Sequence, residues 1–494
     1  MKSIIIIGGG IAGLSAGIFA QKNGFASIIL EKNSTPGGQC TGWDRKGYHI
    51  DGCIHWLTGT LSGTPLNKLW KEVGALQDIE IYHPESFLTY LHEGKIINLY
   101  RDLNKLKASW LELSPEDKAI IEEFCHDVKK MHGFEMPIGK PSDLMNPLEK
   151  IGAGSAFLKY GSIISKYLKT DIQDYATKYK HPGLRALWTS FAPKGYSALM
   201  IIFAMAAFTK GQASIPFGGS RALAERMADR YRELGGKYIT EEVRELRISG
   251  KKVIRLFTKL ENEYSADYVV AACDANFVYE KLFYGQRNDS QYQLRFNDPD
   301  KYPLSSELLI SFGVKDELKN LPRSLRFAIE PLELGRQRID HLSLRHFPQE
   351  PDFAPPGESI LICEINAFAE EIDYWLEYKM HPEEYKAEKM RVGEKVKAAI
   401  SQRFPELEDK LELLDVVTPL TYQRHCNAYR GAFMPFQMKV GGRMLEHNGR
   451  IQGLDNFFLS GQWLQPPGGL PVALITGRDT IMRICKAERM NFKD

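Results

Sequence analysis

The glycine series Gly8-x-Gly10-x-x-Gly13, set directly after the apolar run at residues 4–7, restricts this chain more than any other feature. Four consecutive isoleucines suit a strand buried on both faces, as in a parallel sheet. The small-residue stretch 11–23 reads as a helix, and 26–30 as the next strand, ending in Glu31. Strand, glycine turn, helix and strand make one βαβ unit. The first glycine permits the turn, the second lets backbone N–H groups approach a pyrophosphate, and the third allows the helix to pack closely on the strand. Phosphate charge then faces the helix N-terminus. A carboxylate about 20 residues past the glycines, here Glu31, accepts hydrogen bonds from a ribose and repels a 2′-phosphate. The implied ligand is an adenine dinucleotide.

Length and charge narrow the rest. A chain of 494 residues supports two or three structural units, and 43% hydrophobic with 26% charged residues describes a large globular protein. With 64 Lys and Arg against 62 Asp and Glu, no global field attracts nucleic acid, which is discounted as a partner. The seven cysteines never take a C-x-x-C spacing, so neither a zinc site nor a disulfide framework is expected, and a reducing, cytoplasmic compartment fits. The apolar N-terminal run ends too early for a signal peptide, and the longest apolar stretch, 198–208, is shorter than the roughly 20 residues that cross a bilayer.

After Glu31 the chain runs through Pro36-Gly37-Gly38-Gln39 to Gly47-Tyr48-His49-Ile50-Asp51-Gly52 with no further βαβ crossover. Here it resembles the flavin amine oxidase and phytoene desaturase superfamily, whose members carry a second glycine pair after the ribose-binding acid and then an aromatic-x-aliphatic-Asp-x-Gly segment. The resemblance implies FAD. It places Ile11, Ala12, Lys32, Ile54 and the pair Gly37 and Gly38 along the cofactor, beside the glycines and Glu31. Two positions depart from the pattern: Gln39 stands where the family commonly has Arg, lowering charge near the pyrophosphate, and Cys53 where it often has Gly.

Later blocks extend the likeness. Residues 215–220, a helix at 223–234, a strand at 237–240 and Val243 match the family order in which a valine backbone meets the adenine end. Residues 266–273 read as a return strand. Residues 456–459 read as a short buried strand, followed by the turn Ser460-Gly461-Gln462-Trp463, the loop Pro467-Gly468-Gly469-Leu470-Pro471 and a helix from about 472 to 486. In the family this strand rejoins the first sheet, and the helix N-terminus points at the flavin. A partial positive charge there stabilises negative charge developing on the ring.

The expected fold is α/β: a Rossmann-type FAD-binding domain with an interleaved α+β substrate domain and a helical cap. The FAD-binding parts are residues 1–83, 214–276 and 419–494, the last including a flavin-facing strand. Residues 84–213 are the helical cap, and 277–418 the substrate domain. Residues 152–168 and 198–208 are unusually apolar, and the sequence leaves core and channel lining equally open. On the channel reading the substrate is an apolar small molecule, met by a peripheral protein on the inner face of the membrane. Oligomeric state stays open.

A flavin carries the hydride itself, so the protein must bind, orient and tune it and move at most a proton. His55, His425 and Tyr429 are the candidate proton carriers, each with the alternative of an ordinary structural role. Tyr429, Phe433 and Trp463 either wall the ring or fill core. Residues 416–436 resemble the stretch that approaches the substrate side of the ring in phytoene desaturase-related and carotenoid isomerase-like proteins. His83, His92, His126 and His132 show no ligand spacing, so no metal is expected. The leading expectation is an FAD-dependent oxidoreductase that desaturates, saturates or isomerises carbon–carbon bonds of a polyene-like substrate. The alternatives are a flavin amine oxidase, for which no lysine is identifiable, and a non-catalytic flavin- or lipid-binding protein.

Overall fold

The computed structural model describes residues 1–494 other than 137, 288, 438, 444 and 445, and all remaining side chains but those of 156 and 157. Its organising layer is a five-stranded parallel sheet in the order Lys237–Thr240, Ala26–Glu31, Ser3–Ile7, Tyr268–Ala271 and Phe457–Leu459. Ile7 lies opposite Leu30 on one side and Ala271 on the other. All three strands therefore end level, and their carboxyl ends open on one crevice, the place where ligands bind in such sheets. Strands from the two ends of the chain and from its middle thus complete one sheet, as the family resemblance implied.

The first helix (Ile11–Lys22) is buried along most of its length because the C-terminal helix (Leu470–Ala487) crosses it. A Cβ at Gly477 would lie 2.7 Å from that of Ser15, so glycine lets the backbones approach. The Ser15 hydroxyl then donates to the Leu474 carbonyl at 2.7 Å. Leu14, Ile18, Leu474 and Ile481 fill the contact. Truncating a fully buried leucine such as Leu14 to alanine costs roughly 2–5 kcal/mol.

A second, seven-stranded sheet runs Leu411–Val417, Ser306–Val314, Ser359–Ala367, Gln337–His346, Ser324–Leu334, Ser86–His92 and Lys95–Tyr100. Side chains alternate across a strand. Leu308, Ile310 and Phe312 pack with Trp375 and with Val392, Val396 and Ile400 of helix Pro382–Arg403. Leu309 and Ile362 face the other way, toward Tyr48, Ile50 and Tyr422. Because both faces are covered, every residue of Ser306–Val314 is buried.

The structure corrects the reading of 84–213 as helical. Residues 86–100 form a hairpin whose first strand joins the second sheet in parallel, Leu325 opposite Thr89. Its turn, Glu93-Gly94, has positive φ at both residues (48° and 78°), which suits the twist of a two-residue hairpin. Glu is not among the residues that favour that conformation, so the signal was weak. The helices that follow pack around Trp110, Phe124, Tyr175, Tyr179 and Trp188.

The two apolar segments part company. Helix Leu199–Thr209 is core, burying Leu199, Ile202, Met205 and Phe208. Residues 152–168 divide between helices Pro147–Leu158 and Gly161–Leu168. The second buries Ile163, Ile164 and Tyr167. The first leaves Leu148, Ile151 and Leu158 69–79% exposed. The side chains at 156 and 157 of that run lie outside the described residues.

Candidate functional site

At the carboxyl end of the central strand, Gly8 takes φ +105°, and a Cβ there would sit 2.8 Å from the Ala272 carbonyl oxygen. Gly13 packs against the Gly8 carbonyl so closely that a side chain has no room. Gly10 is the N-cap of the first helix, and no side chain caps the N-terminus that Ile11, Ala12 and Gly13 form. The second glycine pair is stitched to this loop, since Gly37 N–H donates to the Gly9 carbonyl at 2.9 Å. A Cβ on Gly38 would approach the Gly10 Cα to 3.4 Å. Glu31 is buried at the end of its strand. Its Oε2 accepts from Gly9 N–H at 2.6 Å, and its Oε1 accepts from the Asn33 backbone and amide, each at 2.9 Å. Val243 is buried beside Ile7 and Leu30 and opens a hairpin opposite Thr258.

Lys32 and Asn33 reach the 419–431 segment. Lys32 Nζ donates to the Arg424 carbonyl and to Asn427 Oδ1, and Asn33 donates to the His425 carbonyl. At the far end, Gly461 takes φ +128° with open space where a Cβ would be. Gly469 is an N-cap without a side-chain cap, with Leu470 and Pro471 beginning the helix. Gln462 Oε1 accepts from Gly469 N–H at 3.1 Å, and Gln39 Nε2 donates to the Ala432 carbonyl at 2.9 Å. Two helix N-termini without side-chain caps and a glycine cradle offer N–H donors, and a buried carboxylate offers an acceptor, a set suited to a dinucleotide with a second redox-active ring. Ser460 Oγ and Tyr238 Oη, buried at this crevice and above Gly9, have no hydrogen-bond partner among the described residues.

Asp51 ties the aromatic-x-aliphatic-Asp-Gly segment to helix Gly219–Glu233. Its carboxylate accepts from Ser220 N–H at 2.6 Å, Ser220 Oγ at 2.7 Å, and the Cys53 and Ile54 N–H groups at 3.2 Å. It serves as that helix's cap from outside the helix. Ile54 and His55 are thereby held against the inner face of the second sheet.

That face is polar. Arg345 donates to Glu364 Oε1 at 2.6 Å and to the Ile54 carbonyl at 2.9 Å. His55 Nε2 lies 3.2 Å from the same Glu364 oxygen but is not aligned for a hydrogen bond. Burial pulls the His55 pKa down to about 4, with Arg345 and Arg323 adding to the effect and Glu364 opposing it. Burial pushes the Glu364 carboxyl up, but Arg345 and His55 outweigh it, and the net shift is downward. On the neighbouring strand Tyr422 Oη donates to Glu307 Oε1 at 2.5 Å. Burial raises Glu307 to about 8 against that hydrogen bond. A carboxyl that exchanges its proton near neutrality at a buried site is suited to proton transfer.

Of the candidate proton carriers, only His55 lies on this face. His425 is exposed, with Nε2 3.3 Å from Arg424 Nη2, where helix Pro419–Cys426 meets Lys32 and Asn33. Thr418 with Thr421 forms the capping box of this helix. Tyr429 N–H donates to Asp274, and its ring meets Phe296 at 5.1 Å. Trp463 packs on Phe436 and Phe296 inside the same core. Phe433 packs on Tyr422 at 5.9 Å. Sequence reasoning missed Glu307, Tyr422, Arg345 and Glu364. The available signal was a single acid in each of two apolar strands, Glu307 before Leu308 and Glu364 after Cys363.

A dinucleotide crevice roofed by a second sheet, with the chain's ends meeting at one helix N-terminus, defines an FAD-dependent oxidoreductase. The chain belongs to the flavin containing amine oxidoreductase family, whose model matches residues 11–484. It is 24% identical to the neurosporene-forming phytoene desaturase of Rhodobacter capsulatus, over 97% of this chain and 93% of the relative. Among solved structures, an oxidoreductase from Methanosarcina mazei shares its fold with TM-score 0.61 at 15% identity, covering 97% of this chain and all of the other. Cyclohexylamine oxidase from Brevibacterium oxydans aligns with TM-score 0.59 at 15% identity, over 99% of both chains.

Proposed function

We propose that this enzyme desaturates, saturates or isomerises a carbon–carbon bond of an apolar, polyene-like substrate. The observation that carries the reading is the end-to-end likeness to the phytoene desaturase, substrate-side insertions included. FAD, when bound, accepts or supplies the hydride. In this reading Gly8, Gly10, Gly13 and the N–H groups of Ile11 and Ala12 hold its pyrophosphate, Glu31 and Lys32 flank its ribose, and the Val243 backbone meets its adenine end. Gly37, Gly38, Gln39 and Ile54 run beside it toward Gly461, Gln462, Leu470 and Pro471, where the C-terminal helix offers its N-terminus to the ring. Glu307, hydrogen-bonded to Tyr422, holds or releases the proton that must move, and His55 borders the same space. His425 and Tyr429 position the loop between Lys32 and Asp274. The division into FAD-binding parts (1–83, 214–276, 419–494), substrate domain (277–418) and cap (84–213) follows, with residues 86–100 moved from the cap to the substrate sheet.

Peripheral membrane contact belongs to the same reading. Leu148, Ile151 and Leu158 share one side of an exposed helix, and Lys159 follows its last residue. Among the described residues no helix is long and apolar enough to cross a membrane.

The test is turnover of the FAD-loaded enzyme, under air and anaerobically, on phytoene in liposomes and on putrescine and cyclohexylamine. A changed polyene absorption spectrum supports the proposal. Amine oxidation without polyene conversion moves the enzyme to the amine oxidases, and inertness to both supports a flavin-binding protein.

A further inference from the structure

The hairpin of strands Gly42–Arg45 and Tyr48–Asp51 sets two thiols against each other at its open end. Gly42 lies opposite Asp51. The register runs on past the strands, because Gly52 N–H donates to the Thr41 carbonyl at 3.0 Å. The next pair is Cys40 and Cys53. In an antiparallel ladder hydrogen-bonded and non-hydrogen-bonded pairs alternate, and residues directly opposite share a face. With Thr41 and Gly52 bonded, Cys40 and Cys53 take the close position, where an ideal ladder puts Cα atoms about 4.5 Å apart, inside the roughly 4.4–6.8 Å that a disulfide spans. Ser220 ties the same two segments together. Its carbonyl accepts from Cys40 Sγ at 3.5 Å, and its hydroxyl oxygen accepts from Ile54 N–H at 2.8 Å.

Both cysteines are free thiols in the structure. Cys40 is buried and Cys53 half-buried. The neighbouring Cys53 thiol, and then burial, push the Cys40 thiol well up, so Cys40 stays protonated. Thiol–disulfide exchange starts at an accessible thiolate, which leaves Cys53 to attack and Cys40 to resolve. Cys125 and Cys363 differ, each packed as the one cysteine among the apolar side chains of another core. Cys53 also stands where the family often has Gly, so the pairing is a property of this chain and not of the common flavin-site pattern.

We infer that Cys40 and Cys53 are a redox-active pair, which a low-molecular-weight disulfide closes into an intrachain disulfide. The Cys53 thiolate attacks one sulfur of the small disulfide and expels the first thiolate. Cys40 then attacks the Cys53 sulfur and expels the second, and each expelled thiolate takes up the proton lost by the cysteine that displaced it. Two protein thiols are oxidised, one small disulfide is reduced to two thiols, and excess small thiol reverses the exchange. In a reducing compartment such disulfides are transient and redox-sensing. The link joins the loop of Gly37 and Gly38 to the segment of Ile54. On the FAD placement proposed above, on which this consequence rests, these are two walls of the cofactor site, and joining them pre-organises it.

The test incubates the FAD-loaded full chain anaerobically with 2-hydroxyethyl disulfide, alkylates the remaining thiols and maps the peptides by mass. A Cys40–Cys53 link, release of two 2-mercaptoethanol molecules per chain and reversal by dithiothreitol are expected. FAD release from the linked form, followed by ultrafiltration and flavin absorbance, should be about fivefold slower or more, and Cys53→Ser should lose both the link and the slowing. Cys426, the other thiol near Cys53, supplies the competing outcome. A Cys53–Cys426 link, or a mixed disulfide that Cys40 never resolves, overturns the pair. A Cys40–Cys53 link with FAD release unchanged supports the redox pair and overturns the placement of FAD between these walls. Should the serine variant not fold, the peptide map of the unaltered enzyme decides alone.

Discussion

Gln39 and Gln462 are 423 residues apart in sequence, and Gln462 Nε2 donates to Gln39 Oε1 at 3.0 Å. The second glycine pair is thereby fastened to the turn that starts the C-terminal helix. Gln462 also accepts from Gly469 N–H, so one amide orders both walls of the flavin end. Arginine at position 39 could not accept the Gln462 hydrogen bond, so the glutamine exchanges charge near the pyrophosphate for a link between the chain's ends.

Replacing Gln462 with alanine is expected to leave the Gly469 N–H without its acceptor and cost about 1–3 kcal/mol. Much of that loss falls on the cofactor site. We expect roughly tenfold weaker FAD retention, checked by ultrafiltration and the absorbance of released flavin, with far-ultraviolet circular dichroism unchanged.

Glu31→Gln keeps an oxygen for Gly9 N–H but removes the charge that two ribose hydroxyls would favour. Hydrogen bonds to a charged group are worth about 1.5–3 kcal/mol. FAD affinity should fall about tenfold or more while the apoprotein melts within a few degrees of the unaltered chain. An FAD dissociation constant unchanged by isothermal titration would remove Glu31 from the ribose site.

The pH dependence of stability carries a sign. Glu307 is raised to about 8 in the folded protein from 4.5. Its contribution is fully present below pH 4.5 and is lost as pH rises through about 8, because the folded state binds the proton more tightly. His55 acts oppositely. Its folded value of about 4 lies below 6.5, so stability falls as pH drops from 6.5 toward 4. Denaturant melts across this range should show Glu307→Gln removing the loss on the alkaline side, a change of a few kcal/mol.

Proton transfer separates the candidates. Glu307→Gln and Tyr422→Phe should each lower kcat by about 100-fold or more, in keeping with the worth of a positioned acid or base. His425→Ala, on the exposed helix, should change it less than about twofold. A large loss in the His425 variant with unaltered FAD content would reverse that assignment.

Serine at positions 148, 151 and 158 should abolish flotation with liposomes and leave the FAD spectrum unchanged. Each apolar side chain withdrawn from lipid removes roughly 1.5–3 kcal/mol of burial. Unchanged flotation would locate membrane contact elsewhere or nowhere.

Local chemistry made much of this protein legible from its residues alone. Ile4 to Ile7, the glycines at 8, 10 and 13, and Glu31 specify a βαβ unit because each acts within a few residues, through strand burial, turn geometry and helix packing. The resemblance carried by Gly37, Asp51 and Gly461 then supplied the cofactor and the order in which distant strands complete one sheet. Tertiary structure decided what depends on partners far along the chain. His55 and His425 are equivalent histidines in sequence, but one is pressed against Arg345 and Glu364 from another sheet, and the other faces solvent. Glu307 becomes a candidate proton carrier only because burial and Tyr422, 115 residues away, set its environment. Ile151 and Leu158 are as apolar as Leu199 and Ile202, and only packing leaves the first pair exposed and buries the second. Desolvation and pairing are properties of a place, and no place exists until the chain has folded.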